Sequence, residues 1–139
     1  MKIKLIVTAV LLLLSGISFA QEVTNINTVK PTEQYDNVHY KKFYSDMNTS
    51  YFVIWIKKGI RSHKHVSHTE NVIVLEGTGV MTIGEKTFDI KVGDHFMIHQ
   101  DVFHAVEVTS AEPLKIIAVR SPEYFGKDIV FEDEQKGEY

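Results

Sequence analysis

GIRSHKHVSHTENVIVLEG, residues 59–77, contains three of the chain's seven histidines. Side chains two apart on a β-strand share a face, so His63 and His65 present their imidazoles side by side. Glu70 follows His65 by five residues, an odd separation that would put it on the far face if the strand ran on. VSHT is therefore read as a turn, after which Glu70 opens the next strand and faces the same interior. Any one of these histidines alone is more often structural or exposed. Two imidazoles and a carboxylate in this arrangement form a nitrogen and oxygen donor set that suits a first-row divalent metal.

Outward from this stretch, short apolar runs rich in Val, Ile, Phe and Tyr recur at 51–56, 60–65, 71–75, 80–83, 87–91, 95–99, 103–108 and 114–120. Between them lie KKG, VSHT, EGTG, GEK, VGD, QDV and SAEP, which carry Gly, Pro, Asp or Ser where a chain reverses. No helical stripe interrupts the pattern. About eight antiparallel strands in one small domain must close to bury their apolar faces, which predicts an all-β, antiparallel jelly-roll β-barrel. Period-two alternation is cleanest at Phe88, Ile90 and Val92, and Phe88, Phe96 and Met81 are assigned to the core. Tyr51, Val53 and Trp55 alternate with Phe52, Ile54 and Ile56, both sets apolar, so one face is expected in the core and the other at an oligomer contact, as in a homodimer. His95 and His99 alternate with Phe96 and Ile98 and are placed on the outer surface.

A second stretch, GDHFMIHQDVFHAVEV at residues 93–108, supplies His104, whose face is shared by Val106 and Val108. An inward His among apolar neighbours either makes a satisfied hydrogen bond or binds a metal. Together the two stretches resemble the motifs of the cupin family. The first motif is Gly, five residues, His-x-His, three or four residues, Glu, six residues, Gly; Gly59, His63, His65, Glu70 and Gly77 follow it, with Gly59 closer to His63 than the pattern asks. The second is Gly, five residues, Pro-x-Gly, two residues, His, three residues, Asn; Gly93 and His104 are in register, while His99, Asp101 and Val108 replace the Pro, Gly and Asn. The resemblance implies a mononuclear metal held by His63, His65, Glu70 and His104, the metal being Fe, Mn, Ni, Zn or Cu. It also implies a small-molecule ligand, since cupins of this size include dioxygenases, isomerases, lyases and plain binding modules.

Among the remaining residues, Glu70 is a candidate for proton exchange as well as ligation. Arg61 is placed on the face of His63 and His65, where it could meet an anionic substrate, against the simpler reading of a strand-end charge reaching water. His68 is expected in the turn, facing solvent, with substitution for a ligand as the alternative. Three functions follow in order: metal-dependent chemistry on a small oxygen-rich or anionic molecule, a non-catalytic binder of a sugar or metabolite, and a purely structural metal.

The chain begins with Lys2 and Lys4 and then an apolar run at 6–14 ending in small residues, which reads as a signal peptide over residues 1–20 cut after Ala20. The alternative, an uncut anchor, is disfavoured because about 20 apolar residues are needed to span a bilayer. Residues 21–42 read as an arm with room for an edge strand, 43–122 as the barrel, and 123–139 as an acidic, loosely held tail. The mature protein is thus expected to be exported, periplasmic or secreted, with no stable membrane span. Of 15 basic and 18 acidic residues the leader removes two lysines, leaving a net charge of −5, which argues against a nucleic-acid partner. With no cysteine, thiol catalysis and Cys-ligated zinc are excluded, and the barrel must hold together without disulfides.

Overall fold

The computed structural model describes residues 23–135, so the proposed leader and the last four residues of the tail lie outside the described part. Among the described residues ten strands make two five-stranded antiparallel sheets. They are β1 (Val38–Asp46), β2 (Thr49–Ile56), β3 (Gly59–His65), β4 (Thr69–Glu76), β5 (Thr78–Ile83), β6 (Lys86–Lys91), β7 (His95–Ile98), β8 (His104–Val108), β9 (Leu114–Ser121) and β10 (Ile129–Phe131). One sheet runs β1-β2-β9-β4-β7 and the other β10-β3-β8-β5-β6. This is the jelly roll that the spacing of the apolar runs predicts. Between the sheets lies a core of Phe52, Ile54, Ile56, Val72, Val74, Met81, Ile90, Ile98, Leu114, Ile116 and Ala118. Among the described residues no helix is long and apolar enough to cross a membrane.

Period two explains which side chains reach that core. Along β9, Leu114, Ile116, Ala118 and Arg120 face inward, in register with Ile56, Ile54, Phe52 and Ser50 of β2. The other face of β2 is also covered: Val53 is 0% and Trp55 4% exposed. Part of that cover is the chain's own N-terminal segment, whose Tyr35 ring stacks toward His39 beside Trp55. Lys115, fully buried, extends between Glu76 Oε1 at 2.9 Å and the carbonyl oxygen of Asn27 at 3.2 Å. At Val53 and Trp55, then, the second apolar face of β2 is occupied within the chain and does not wait for a partner.

Two expectations of the fold need correction. Phe88 lies on β6, the edge of its sheet, and stays 37% exposed while Ile90 alone of that strand is buried. Within the tail read as loosely held, Ile129, Val130 and Phe131 pair with His65, Lys64 and His63 of β3. By contrast, the segment read as an arm with room for an edge strand does supply one: β1 pairs with β2 from Val38 onward and is the edge of its sheet.

A glycine is required between β4 and β5, where the chain crosses from one sheet to the other. Gly77 has φ +81, and a β-carbon there would sit 2.9 Å from Ser110 Oγ and 3.0 Å from both Leu114 Cα and Pro113 O. Gly77→Ala is expected to lower the unfolding free energy by about 1–3 kcal/mol, the cost of a non-glycine residue forced into that region, as measured by urea denaturation.

Candidate metal centre

The turn at VSHT carries the chain from β3 in one sheet to β4 in the other, so His65 and Glu70 face each other across the barrel interior. A β-bulge sets the phase of β3. Ile60 pairs with Val106, but His63 pairs with His104, so β3 spends one residue more than β8 over the same distance. Ile60, His63 and His65 therefore point inward together, and Arg61 is turned away from the imidazoles. Arg61 packs over the Phe131 ring and pairs with Asp133 at 2.5 Å and Glu134 at 2.8 Å at the surface. The shared face expected for Arg61, His63 and His65 is undone by this extra residue, and the reading of Arg61 as a charge reaching water is the one the structure matches.

The three imidazoles are buried and close: ring centroids lie 4.1 Å apart for His63 and His104, and 5.3 Å apart for His65 with each of the others. His63 Nδ1 is 2.9 Å from the carbonyl oxygen of Arg61, and His104 Nδ1 is 3.0 Å from that of Val102. A carbonyl only accepts, so in both rings Nδ1 carries the proton and Nε2 keeps its lone pair. His65 Nδ1 faces Asp128 Oδ1 at 3.4 Å, and its Nε2 faces Glu70 Oε2 at 4.0 Å. Potential ligand atoms of His63, His65 and His104 lie within 4.8 Å of one another, and so do those of His65, His68 and Glu70. His65 belongs to both groups.

Glu70 is 6% exposed and accepts a hydrogen bond from Arg120 Nε at 2.6 Å. Burial alone would raise its pKa, but the Arg120 charge above all holds the carboxyl below its usual value, so it is anionic. Burial pushes the imidazoles the other way: His65 falls to about 3 and His104 to about 4, and His63 is also lowered. Neutral imidazoles and an ionised carboxylate are the forms that coordinate metals.

Whether these residues fit a metal is tested by their unused capacity. Among the described residues, His104 Nε2 and both ring nitrogens of His65 are buried without a hydrogen-bond partner. Buried polar atoms are rarely left so, and converging orphan nitrogens beside a carboxylate are what a divalent ion would satisfy. His63 and His104 also hydrogen-bond a backbone carbonyl through Nδ1, the outer support that orients metal-binding histidines, and His65 Nδ1 faces the Asp128 carboxylate. The residues fit.

Three participants escape the sequence reading, and a fourth, His68, matches its alternative of a position beside the ligands rather than the solvent-facing turn. His68 is 1% exposed, not solvent-facing; its ring lies 4.1 Å from that of His65, with Nδ1 2.6 Å from Asp128 Oδ2. Asp128 also accepts from Ser67 Oγ at 2.7 Å, and its backbone oxygen accepts from Val66 N–H. Arg120 and Tyr124 complete the wall, the guanidinium 4.3 Å from the Tyr124 ring. Arg120 had a sequence signal, being a charge in phase with Leu114, Ile116 and Ala118. Asp128 had none. Asp101, which takes the glycine position of the second motif, has φ 63, a left-handed conformation that Asp tolerates better than most residues.

Comparison with known proteins agrees with this architecture. Residues 51–120 match the family model described as Cupin domain. Mannose-1-phosphate guanylyltransferase RfbM of Salmonella typhimurium is 33% identical over 95 residues, covering 66% of this chain and 20% of that protein. An uncharacterized protein of Methanocaldococcus jannaschii is 36% identical over 66 residues, 48% of this chain and 53% of that protein. The chain thus spans about a fifth of the first relative's length and about half of the second's. In fold it is similar to KdgF from Halomonas sp., with 13% identity and a TM-score of 0.63 over 72% of this chain and 94% of that one. It is also similar to Lactobacillus farciminis oxalate decarboxylase, with 17% identity and a TM-score of 0.64 over 82% of this chain and 36% of that one.

The depressed histidine pKa values carry a stability signature. Below about 6.5 the unfolded chain takes up protons that the folded imidazoles refuse, so stability is complete above that pH and is lost as pH falls toward 4. The expected slope is about 1.4 kcal/mol per pH unit for each such histidine. Urea midpoints of the metal-free protein should fall between pH 7 and pH 5, and His104→Gln should flatten the decline.

Proposed function

This chain belongs to the cupin domain family, and we propose that it is an exported cupin that binds a divalent first-row metal through His63, His65, His104 and Glu70 and acts on a small oxygen-rich or anionic molecule. The observation that carries the reading is the convergence of buried imidazole nitrogens without partners beside an ionised carboxylate. When bound, the metal supplies a Lewis acid or an oxygen-binding centre, as in dioxygenase, isomerase or lyase chemistry. The chain's own residues do the rest. His63 and His104 are held in one tautomer by backbone carbonyls, His65 is faced by Asp128, and Glu70 is held by Arg120. Apolar side chains, among them Ile54, Ile60, Met81 and Val106, line the cavity shared with His63, His104 and Glu70 and lower the polarity around the centre. Export rests on the basic and apolar opening of the sequence.

One observation favours a second reading, a non-catalytic binder: Arg120 holds Glu70 Oε1 and keeps the carboxyl below its usual pKa, which makes it a weak base. Relatives named for mannose 1-phosphate would make its ligand a sugar phosphate. Oxygen uptake or turnover by the metal-loaded protein, against binding alone, separates the two.

Metal analysis of the isolated mature chain and calorimetric titration of the stripped protein test the centre. One ion per chain is expected. His65→Ala should weaken metal affinity by more than about 100-fold, whereas Asp128→Asn should cost about 10–100-fold, the range for loss of an orienting partner. A His65→Ala protein that keeps wild-type metal affinity and circular dichroism would refute the proposed ligand set.

A further inference from the structure

The Arg120 guanidinium does more than hold Glu70. Its Nε–H goes to that carboxylate at 2.6 Å, while the plane packs against the rings of Tyr124 and Phe52, with centroids 4.3 and 5.0 Å away. A guanidinium has five N–H donors in a fixed fork; the Glu70 bond uses one and the Tyr124 hydroxyl takes another, which leaves donor capacity for a further anion on the Nη side. Arg120 also borders two adjoining cavities. The inner one reaches His63, His104 and Glu70; the outer one, about 180 Å³, opens between β1, β2 and β10.

The outer cavity has an uneven chemistry. Arg120 and His63 are the charged and imidazole members of its lining, and Tyr40 and Tyr124 are the other residues there with a polar group. The rest of its wall is aliphatic or aromatic. Val38, Tyr40 and Ile129 stay exposed at its mouth although all three are large and hydrophobic. They come from β1 and β10, strands at matching edges of the two sheets, so the apolar rim is built by the fold rather than by one accidental side chain.

Such a wall discriminates between ligands. A sugar ring would bring hydroxyls to surfaces with few partners, and a buried hydroxyl without a hydrogen bond costs free energy. An apolar body gains in proportion to the area it hides. The volume is also below the roughly 300–1,000 Å³ of clefts that take drug-sized molecules, which limits the ligand's size.

We propose that the outer cavity is a subsite for a small carboxylic acid with a branched aliphatic or aromatic body, its carboxylate on the Nη side of Arg120 and its body against Tyr40, Phe52, Ile129 and Phe131. The proposal rests on the reading of this barrel as a ligand-binding cupin centre and narrows the ligand from oxygen-rich or anionic molecules to anions with an apolar body.

Acids that do not chelate test the subsite apart from the metal. The mature chain, its metal content measured first, is titrated by calorimetry with 4-methylpentanoate, acetate, 4-methylpentanamide and mannose 1-phosphate. The branched acid should bind at least about tenfold more tightly than acetate, through its body, and than the amide, through its charge. Tyr40→Ser and Ile129→Ser, both at the exposed rim, should erase most of the preference over acetate while the circular dichroism stays that of the folded barrel. Arg120→Gln should erase the preference over the amide; because it leaves Glu70 buried and unpaired, the rim variants carry the test if that protein does not fold. Tighter binding of mannose 1-phosphate, no preference for the branched acid over acetate, or rim variants that bind as wild type would overturn the subsite. A chain without metal that keeps these preferences would refute the metal centre alone, and a metal-loaded chain without them would refute the subsite alone.

Discussion

One extra residue in β3, between Ile60 and His63, sets the phase on which the interior depends. Before it, Gly59 and Ile60 pair with Glu107 and Val106; after it, His63 stands opposite His104. Had β3 run without the bulge, Ile60 and His63 would lie on opposite faces, because their separation is odd. Either Ile60 would leave the core or the imidazoles would leave the barrel. The bulge lets an aliphatic wall and a pair of ligand-type histidines occupy one strand and one face. It also releases Arg61 to the surface, where it meets the acidic segment after β10.

Inside the barrel the second constraint is electrostatic. A buried ion pair such as Glu70 with Arg120 is weak evidence for stability, since desolvating both charges offsets most of their attraction. An apolar pair of similar volume would serve the core as well. What the pair provides is a carboxylate kept ionised and fixed in direction next to imidazoles that burial keeps neutral. With Arg120 countering Glu70, a dication held among neutral imidazoles would keep its full positive charge, which favours an anionic partner in the adjoining space.

The fold was legible in the sequence because strands of a closed barrel alternate and their turns carry Gly, Asp and Pro at short intervals. His63, His65, Glu70 and His104 were legible as a group because the spacing of two along β3 and the register of the second motif are local features. Features that depend on non-local pairing were not. Arg61 was misplaced because a bulge leaves no mark in residue type. Phe88 was misplaced because alternation identifies a face but not whether a neighbouring strand covers it. His68 looks like a turn residue, and it is taken from water by non-local neighbours, the Asp128 carboxylate and the Tyr124 ring among them. Arg120 could have been found by continuing the count from Leu114, which puts a charge on the buried face of a central strand.

Asp128 is the member furthest from any sequence signal, and it explains why the chain after β9 matters to the site. Its carboxylate faces His65 and His68, and its backbone oxygen takes the Val66 N–H, while Phe131 three residues on pairs with His63 and sets its ring 5.9 Å away. The imidazoles of β3 are therefore packed on one side by the other sheet and on the edge by β10. A short strand of three residues has little stability of its own. Its docking draws on the same contacts that orient His65, so ordering the site and closing the barrel edge are one event, and a cation that fixes His65 would strengthen both. The coupling follows from topology: β3 would otherwise be the open edge of its sheet, and the residue just before the strand that covers it is the acid that faces His65 and His68.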